Sequence, residues 1–153
     1  MSDYQHAAFQ ATEYLITLGH KNIAFFTQEF GTSYSRRARY QGYLDALKSH
    51  GIEANNNLVQ LWDRENGFQH SPIDFIRGEH LPTAIFTQHL AITADLLLAL
   101  NKANVSIPDE VSVLGFDEIP MVDLFKVPIS TIKQDAYQIG SETAKLTLEA
   151  IMG

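Results

Sequence analysis

Short apolar runs alternate with longer amphipathic stretches along the whole chain. Residues 4–18 place Ala7, Ala8, Ala11, Leu15 and Leu18 on one helical face. Ser2 or Asp3 is positioned to cap that helix, and Gly19 stands where a glycine ends one. IAFFT (23–27) is a run too short and too apolar for a surface helix and predicts a buried strand. A second helix is expected over 35–50, with Tyr40, Leu44 and Leu47 inward and Gly51 as its stop. LVQLW (58–62) predicts the next strand. Ser71-Pro72 is an N-cap followed by a proline in the first helical position, opening a short helix through Arg77. TAIFT (83–87), an apolar helix over 90–103 and VSVLGF (111–116) continue the alternation. A brief extended STI and a last helix over 135–152 complete it. Strands alternating with helices, each strand apolar throughout, predict a parallel sheet covered on both faces. With right-handed crossovers this is an α/β, doubly wound parallel sheet flanked by helices.

Open parallel sheets bind ligands beyond the carboxyl ends of their strands. The first strand is followed by Gln28 and Glu29, then by Ser35-Arg36-Arg37-Ala38-Arg39. The second ends in Trp62, Asp63 and Arg64, the third in Gln88 and His89, the fourth in Asp117 and Glu118. Polar and aromatic groups thus gather on one rim. Each has a plainer reading. An arginine opening a helix is most often solvated, Trp62 equally suits core packing or stacking on a ring, and a lone histidine is usually structural. Asp117 could cap a turn, and Glu118 is expected to be exposed. The stretch 117–130 is the longest irregular segment and the expected ligand loop or hinge.

Composition narrows the function. The chain has 153 residues, enough for one domain with a real core, and 45% of them are hydrophobic. It has no cysteine, which excludes disulfides, thiol catalysis and cysteine-bound zinc. Its net charge is −7, and its one dense basic group, Arg36, Arg37 and Arg39, is too small for a DNA-binding domain. The start MSDYQHAAFQ lacks the pattern of a signal peptide, and AITADLLLAL is too short to cross a bilayer and carries Asp95. A cytoplasmic protein without membrane contact is expected. There is no phosphate-cradling glycine loop, no G-x-S-x-G turn and no helical His-x-x-x-His pair. Asp117 and Glu118 could hold Mg²⁺ with a third oxygen ligand, which would make a small hydrolase. A phosphotransfer aspartate, however, is expected after the first strand, where Thr27-Gln28 stands. Neither an enzyme nor a cofactor is expected.

Several collinear segments resemble the effector-binding core of the LacI/GalR family of bacterial transcription regulators, which has the type I periplasmic-binding-protein fold. They are ATEYLITLGHKNIAFF, SRRARYQGY, LPTAIF, VSIPDEVSVLGFDEIP and PISTIKQDAYQIG. The resemblance covers nearly the whole chain. It implies a cleft between two subdomains, with Arg39 as the effector-contacting arginine and Phe116 and Asp117 as the aromatic and carboxylate of the G-[FY]-D turn. Trp62 falls where some members place a stacking aromatic. His89-Leu90 replaces the usual Asn-Asp pair. The resemblance further implies that 1–131 form the C-terminal subdomain. Residues 132–153 would be the crossover and a helix of the N-terminal one, whose apolar face would fold back or meet a second copy. DNA contact would come only from an N-terminal headpiece absent here, and the partners would be a small-molecule effector, a sugar or sugar phosphate, and a second copy in a homodimer. Purine- and nucleoside-responsive members also exist. A periplasmic sugar-binding protein, which shares the fold, is the alternative.

Overall fold

The computed structural model describes residues 4–107, 109–116, 129–132 and 136–139. Helix α1 spans Tyr4–Thr17, strand β1 Ile23–Thr27, helix α2 Tyr34–Ser49 and strand β2 Val59–Asp63. A two-residue strand β3 (Gly67–Phe68), helix α3 (Pro72–Ile76), strand β4 (Ala84–Thr87) and helix α4 (Leu90–Lys102) follow. Strands β5 (Ser112–Phe116), β6 (Ile129–Ile132) and β7 (Ala136–Ile139) end the described chain. The sheet runs β3-β2-β1-β4-β5-β7-β6. Its centre, β2-β1-β4-β5, is parallel, as the apolar runs predict. β3 pairs antiparallel with β2, and β7 antiparallel with both β5 and β6.

All five residues of β1 are buried, because helices cover both faces of the sheet. Ile23 and Phe25 turn to α1 and α2, where they meet Ala8, Leu15, Tyr43 and Leu47. Ala24 and Phe26 turn the other way, into a cluster with Ile76, Ile92, Leu96 and Leu100 from α3 and α4. This alternation follows from the strand's two-residue period. The Tyr43 hydroxyl donates to the Ile23 carbonyl at 2.6 Å and so anchors α2 to β1. α2 and α1 cross so closely that a Cβ on Gly42 would lie 2.1 Å from the Gln5 carbonyl oxygen. Ser71 caps α3 by accepting from the Asp74 N–H at 3.3 Å, with Pro72 in the first turn as expected.

Two expectations change. Leu18 is 51% exposed rather than inward, because α1 stops at Thr17 and Gly19, at φ +102°, turns the chain away. Residues 136–139 are a strand, not the first turn of a helix. Tyr137 and Ile139 suit a strand locally, and the N–H and C=O groups along the edge of β5 need partners. The rest of the expected helix, residues 140–152, and the loop 117–128 lie outside the described residues.

Candidate functional site

The four parallel strands end on one side of the molecule, so residues far apart in sequence meet there. Arg39, on the second turn of α2, is 7% exposed. Its Nη1 donates to the Gln88 carbonyl at 3.2 Å, and its guanidinium lies 4.8 Å above the Tyr4 ring. α2 thereby holds this cation against the end of β4, the place expected of a rim arginine. Arg37 turns instead to the Gly31 carbonyl. Arg36 donates from Nη1 to the Glu29 carbonyl at 3.0 Å and from Nη2 to Gln28 Oε1 at 2.9 Å.

Trp62 is 4% exposed and belongs to the apolar cluster beneath α4. Its indole N–H donates to Asp95 Oδ2 at 2.8 Å. The residue still borders a cleft, and the Arg64 guanidinium lies 5.8 Å from the ring centroid. The ring is thus mainly a packed wall rather than an open stacking platform. His89 meets Trp62 edge to face, with ring centroids 5.4 Å apart.

His89 is the N-cap residue of α4 and makes no side-chain cap bond. Its Nε2 lies 2.7 Å from Gln28 Oε1, the atom that Arg36 also contacts. A guanidinium can only donate, so the Gln28 atom facing it is the carbonyl oxygen. The imidazole nitrogen facing that same oxygen therefore carries the hydrogen. Burial, then the charges of Arg64, Arg36 and Arg39, lower the His89 pKa to about 4. The ring is neutral at pH 7 and leaves Nδ1 as an acceptor. The unfolded imidazole takes up its proton near pH 6.5 and the folded one only near 4. This contribution to stability is complete above pH 6.5 and falls as the pH drops towards 4. Urea melts at pH 7 and pH 4.5 are expected to differ less for His89→Gln than for the parent chain. An equal difference would show that His89 does not titrate this way.

Gln88 is fully buried and ties the rim together. Its Oε1 accepts from the Thr27 hydroxyl at 2.6 Å, and its Nε2 donates to the Arg36 carbonyl at 3.1 Å. Beside this network opens a cleft of about 530 Å³, bordered among others by Gln28, Glu29, Arg36, Trp62, Asp63 and Asn66. A larger cleft, about 710 Å³, lies at the opposite end of the sheet, between Lys21 and Leu58. Open α/β sheets take their ligands at the carboxyl rim, which favours the first. The backbone of Phe116 ends β5, paired with Ala136 of β7. Its side chain, Asp117 and Glu118 lie outside the described residues.

Sequence reasoning placed Arg39, Trp62 and His89 on the rim, and the structure brings all three there. It missed Asp95 as the partner of Trp62. The signal was available: Asp95 is the one charged residue in the apolar run AITADLLLAL. Among the described residues, no group of three His, Asp or Glu side chains could hold a metal ion. None of the described helices is long and apolar enough to cross a membrane.

An open sheet with polar groups gathered at its carboxyl rim defines an α/β lobe of the class that binds small molecules there. The chain belongs to the periplasmic-binding-protein-like domain family, whose model matches residues 12–153, and its relatives place it with the effector-binding domains of LacI/GalR regulators. It is 32% identical over 149 residues to the HTH-type transcriptional repressor PurR of Actinobacillus pleuropneumoniae serotype 3 (strain JL03), covering 94% of this chain and 43% of that protein. With PurR of Pasteurella multocida (strain Pm70) the identity is 27% over 145 residues, again covering 94% and 43%. A sugar-binding LacI-family regulator from Escherichia coli, solved with phosphate, superposes with a TM-score of 0.68 at 28% identity, covering 82% of this chain and 45% of that one. The E. coli repressor ascG gives 0.65 at 30% identity, covering 76% and 42%. The chain spans less than half the length of these relatives. All of these relatives are transcriptional regulators.

Proposed function

We propose that this chain is the effector-binding lobe of a LacI/GalR-type transcriptional repressor and that its effector is a sugar or sugar phosphate. The observation that carries this is the rim itself, where Gln28, Arg36 and Trp62 border one cleft and His89, Gln88 and Arg39 are joined to them through hydrogen bonds. Guanidinium, carboxylate and amide groups suit adjacent hydroxyls, and an indole ring suits the apolar side of a sugar ring. The E. coli neighbour described as sugar-binding supports the ligand class. Arg39, Trp62, His89, Phe116 and Asp117 form the effector contacts in this reading. Residues 1–131 form the C-terminal subdomain, 132–153 lead towards the N-terminal one, and a headpiece outside this chain contacts DNA. The full protein works as a cytoplasmic homodimer, and effector binding shifts an equilibrium between open and closed lobes that sets its grip on DNA.

A thermal-shift panel of sugars, sugar phosphates and nucleobases on a protein carrying both lobes tests this. A ligand at a hundred times its Kd stabilises by about 2.7 kcal/mol, which shifts Tm by roughly 5–10 °C in a domain of this size. A sugar-class compound is expected to produce such a shift and to change DNA affinity. A response to nucleobases alone would overturn the ligand class. A sugar-induced shift without any change in DNA binding would favour a periplasmic-type binding protein.

A further inference from the structure

Two donors from separate elements, the first turn of α2 and the cap of α4, converge on one neutral atom. Arg36 Nη2 and His89 Nε2 lie 2.9 and 2.7 Å from Gln28 Oε1. We propose that this donor pair is the seat for an anionic oxygen group of the effector, phosphate or carboxylate, and that the Gln28 side chain holds the place until the ligand displaces it. The proposal rests on the effector reading above and sharpens it from any sugar to one that bears a negative charge.

The charge balance around the pair supports an anion. Burial first opposes protonation of His89, and the charges of Arg64 from the end of β2 and of Arg36 and Arg39 from α2 add to it. Among the described residues, the acidic groups nearby are otherwise placed. Asp95 on α4 accepts from the Trp62 indole, and Asp63 accepts from the backbone N–H groups of Glu65 and Asn66 at 2.9 and 2.6 Å. Glu29 borders the cleft, but Arg36 reaches its backbone carbonyl rather than its carboxylate. The Arg36 guanidinium and the His89 Nε2 thus donate to neutral acceptors, the Gln28 amide oxygen and the Glu29 carbonyl. A charged acceptor makes hydrogen bonds roughly twice as strong as a neutral one. An incoming anionic oxygen therefore gains more from the Arg36–His89 pair than Gln28 does. Gln28 lies in the loop after β1, on a flexible side chain outside any regular element. The adjoining cleft, with its amides and carboxylates, is left for the hydroxyls of the same ligand.

The experiment follows the His89 ring signals of the 153-residue chain by NMR during titration with inorganic phosphate, and with acetate for the carboxylate arm. Phosphate on the order of tens of millimolar suffices to detect a weak subsite. Phosphate is expected to shift the His89 signals and raise the pH at which they titrate. Arg36→Gln is expected to weaken this response at least tenfold. Gln28→Ala removes the competing oxygen and is expected to strengthen it. A larger response to acetate than to phosphate would assign the site to a carboxylate. Absence of any response to either anion, a response unchanged in Arg36→Gln, or a weaker one in Gln28→Ala would each overturn the proposal. Neutral sugars that bind while phosphate leaves His89 untouched would remove this subsite and keep the effector reading. Phosphate binding without any sugar-class ligand would do the reverse.

Discussion

Gly42→Ala is expected to destabilise the chain by about 3 kcal/mol, at the upper end for overpacking a tight contact. On an exposed helix the same change stabilises by up to about 1 kcal/mol, because alanine is the better helix former. Here the sign reverses. A Cβ at position 42 would lie 2.1 Å from the Gln5 carbonyl oxygen and 2.9 Å from the Phe9 nitrogen. Both are backbone atoms of α1, so relief requires moving the helix and opening its packing on Tyr43 and Leu47. Urea denaturation monitored by circular dichroism measures the loss. Ala8→Gly is not expected to rescue the variant, since the Ala8 Cβ, at 3.0 Å, is the least severe of the three contacts. A variant as stable as the parent would mean that α1 shifts without cost and that this crossing positions nothing.

Arg39→Met is expected to weaken effector binding roughly tenfold to a hundredfold, the range for hydrogen bonds made by a charged group. Methionine retains much of the side chain's apolar volume against Tyr4, so the fold is expected to persist. Arg39→Lys is not expected to restore binding. A lysine lacks the planar fork with which, under the proposed function, one guanidinium would hold the Gln88 carbonyl and a ligand oxygen together. Calorimetric titration of the responding ligand, with thermal melts of each variant, separates lost contact from lost fold. Unchanged affinity in both variants would take Arg39 out of the site. If Lys binds as well as Arg, the group acts only as a charge.

The two residues illustrate different degrees of legibility. Arg39 and Gly42 are three apart on α2, and only the arginine is singled out in the sequence. The resemblance of SRRARYQGY to the family implies the arginine's ligand role, while its place after a strand end puts it, with Arg36 and Arg37, only on the rim. The glycine carried no such signal. Its reason is the approach of α1, which no local pattern encodes. The four central strands were readable because each is an apolar run that helices must cover on both sides. β3 was not, since two residues, Gly67 and Phe68, carry no periodicity. Residues 136–139 were read as helix because AYQIG fits both periods, and the need of the β5 edge for partners decides between them.

The site divides in the same way. The order of residues along the chain determined which side chains reach the rim, since whatever follows a parallel strand is carried to its carboxyl end. Thus Gln28, Trp62, Gln88 and His89 all reach the rim by their order in the sequence alone. Only the tertiary structure decided what they do to each other. It turned Trp62 from an open face into a wall pinned by Asp95, and it made His89 neutral by burying it and then by setting three guanidiniums around it. It also brought Gln28 between Arg36 and His89, 61 residues from the latter. The physical reason is range. Periodicity and capping act between neighbours along the chain, whereas desolvation, charge fields and shared acceptors depend on distances that exist only once the sheet has assembled.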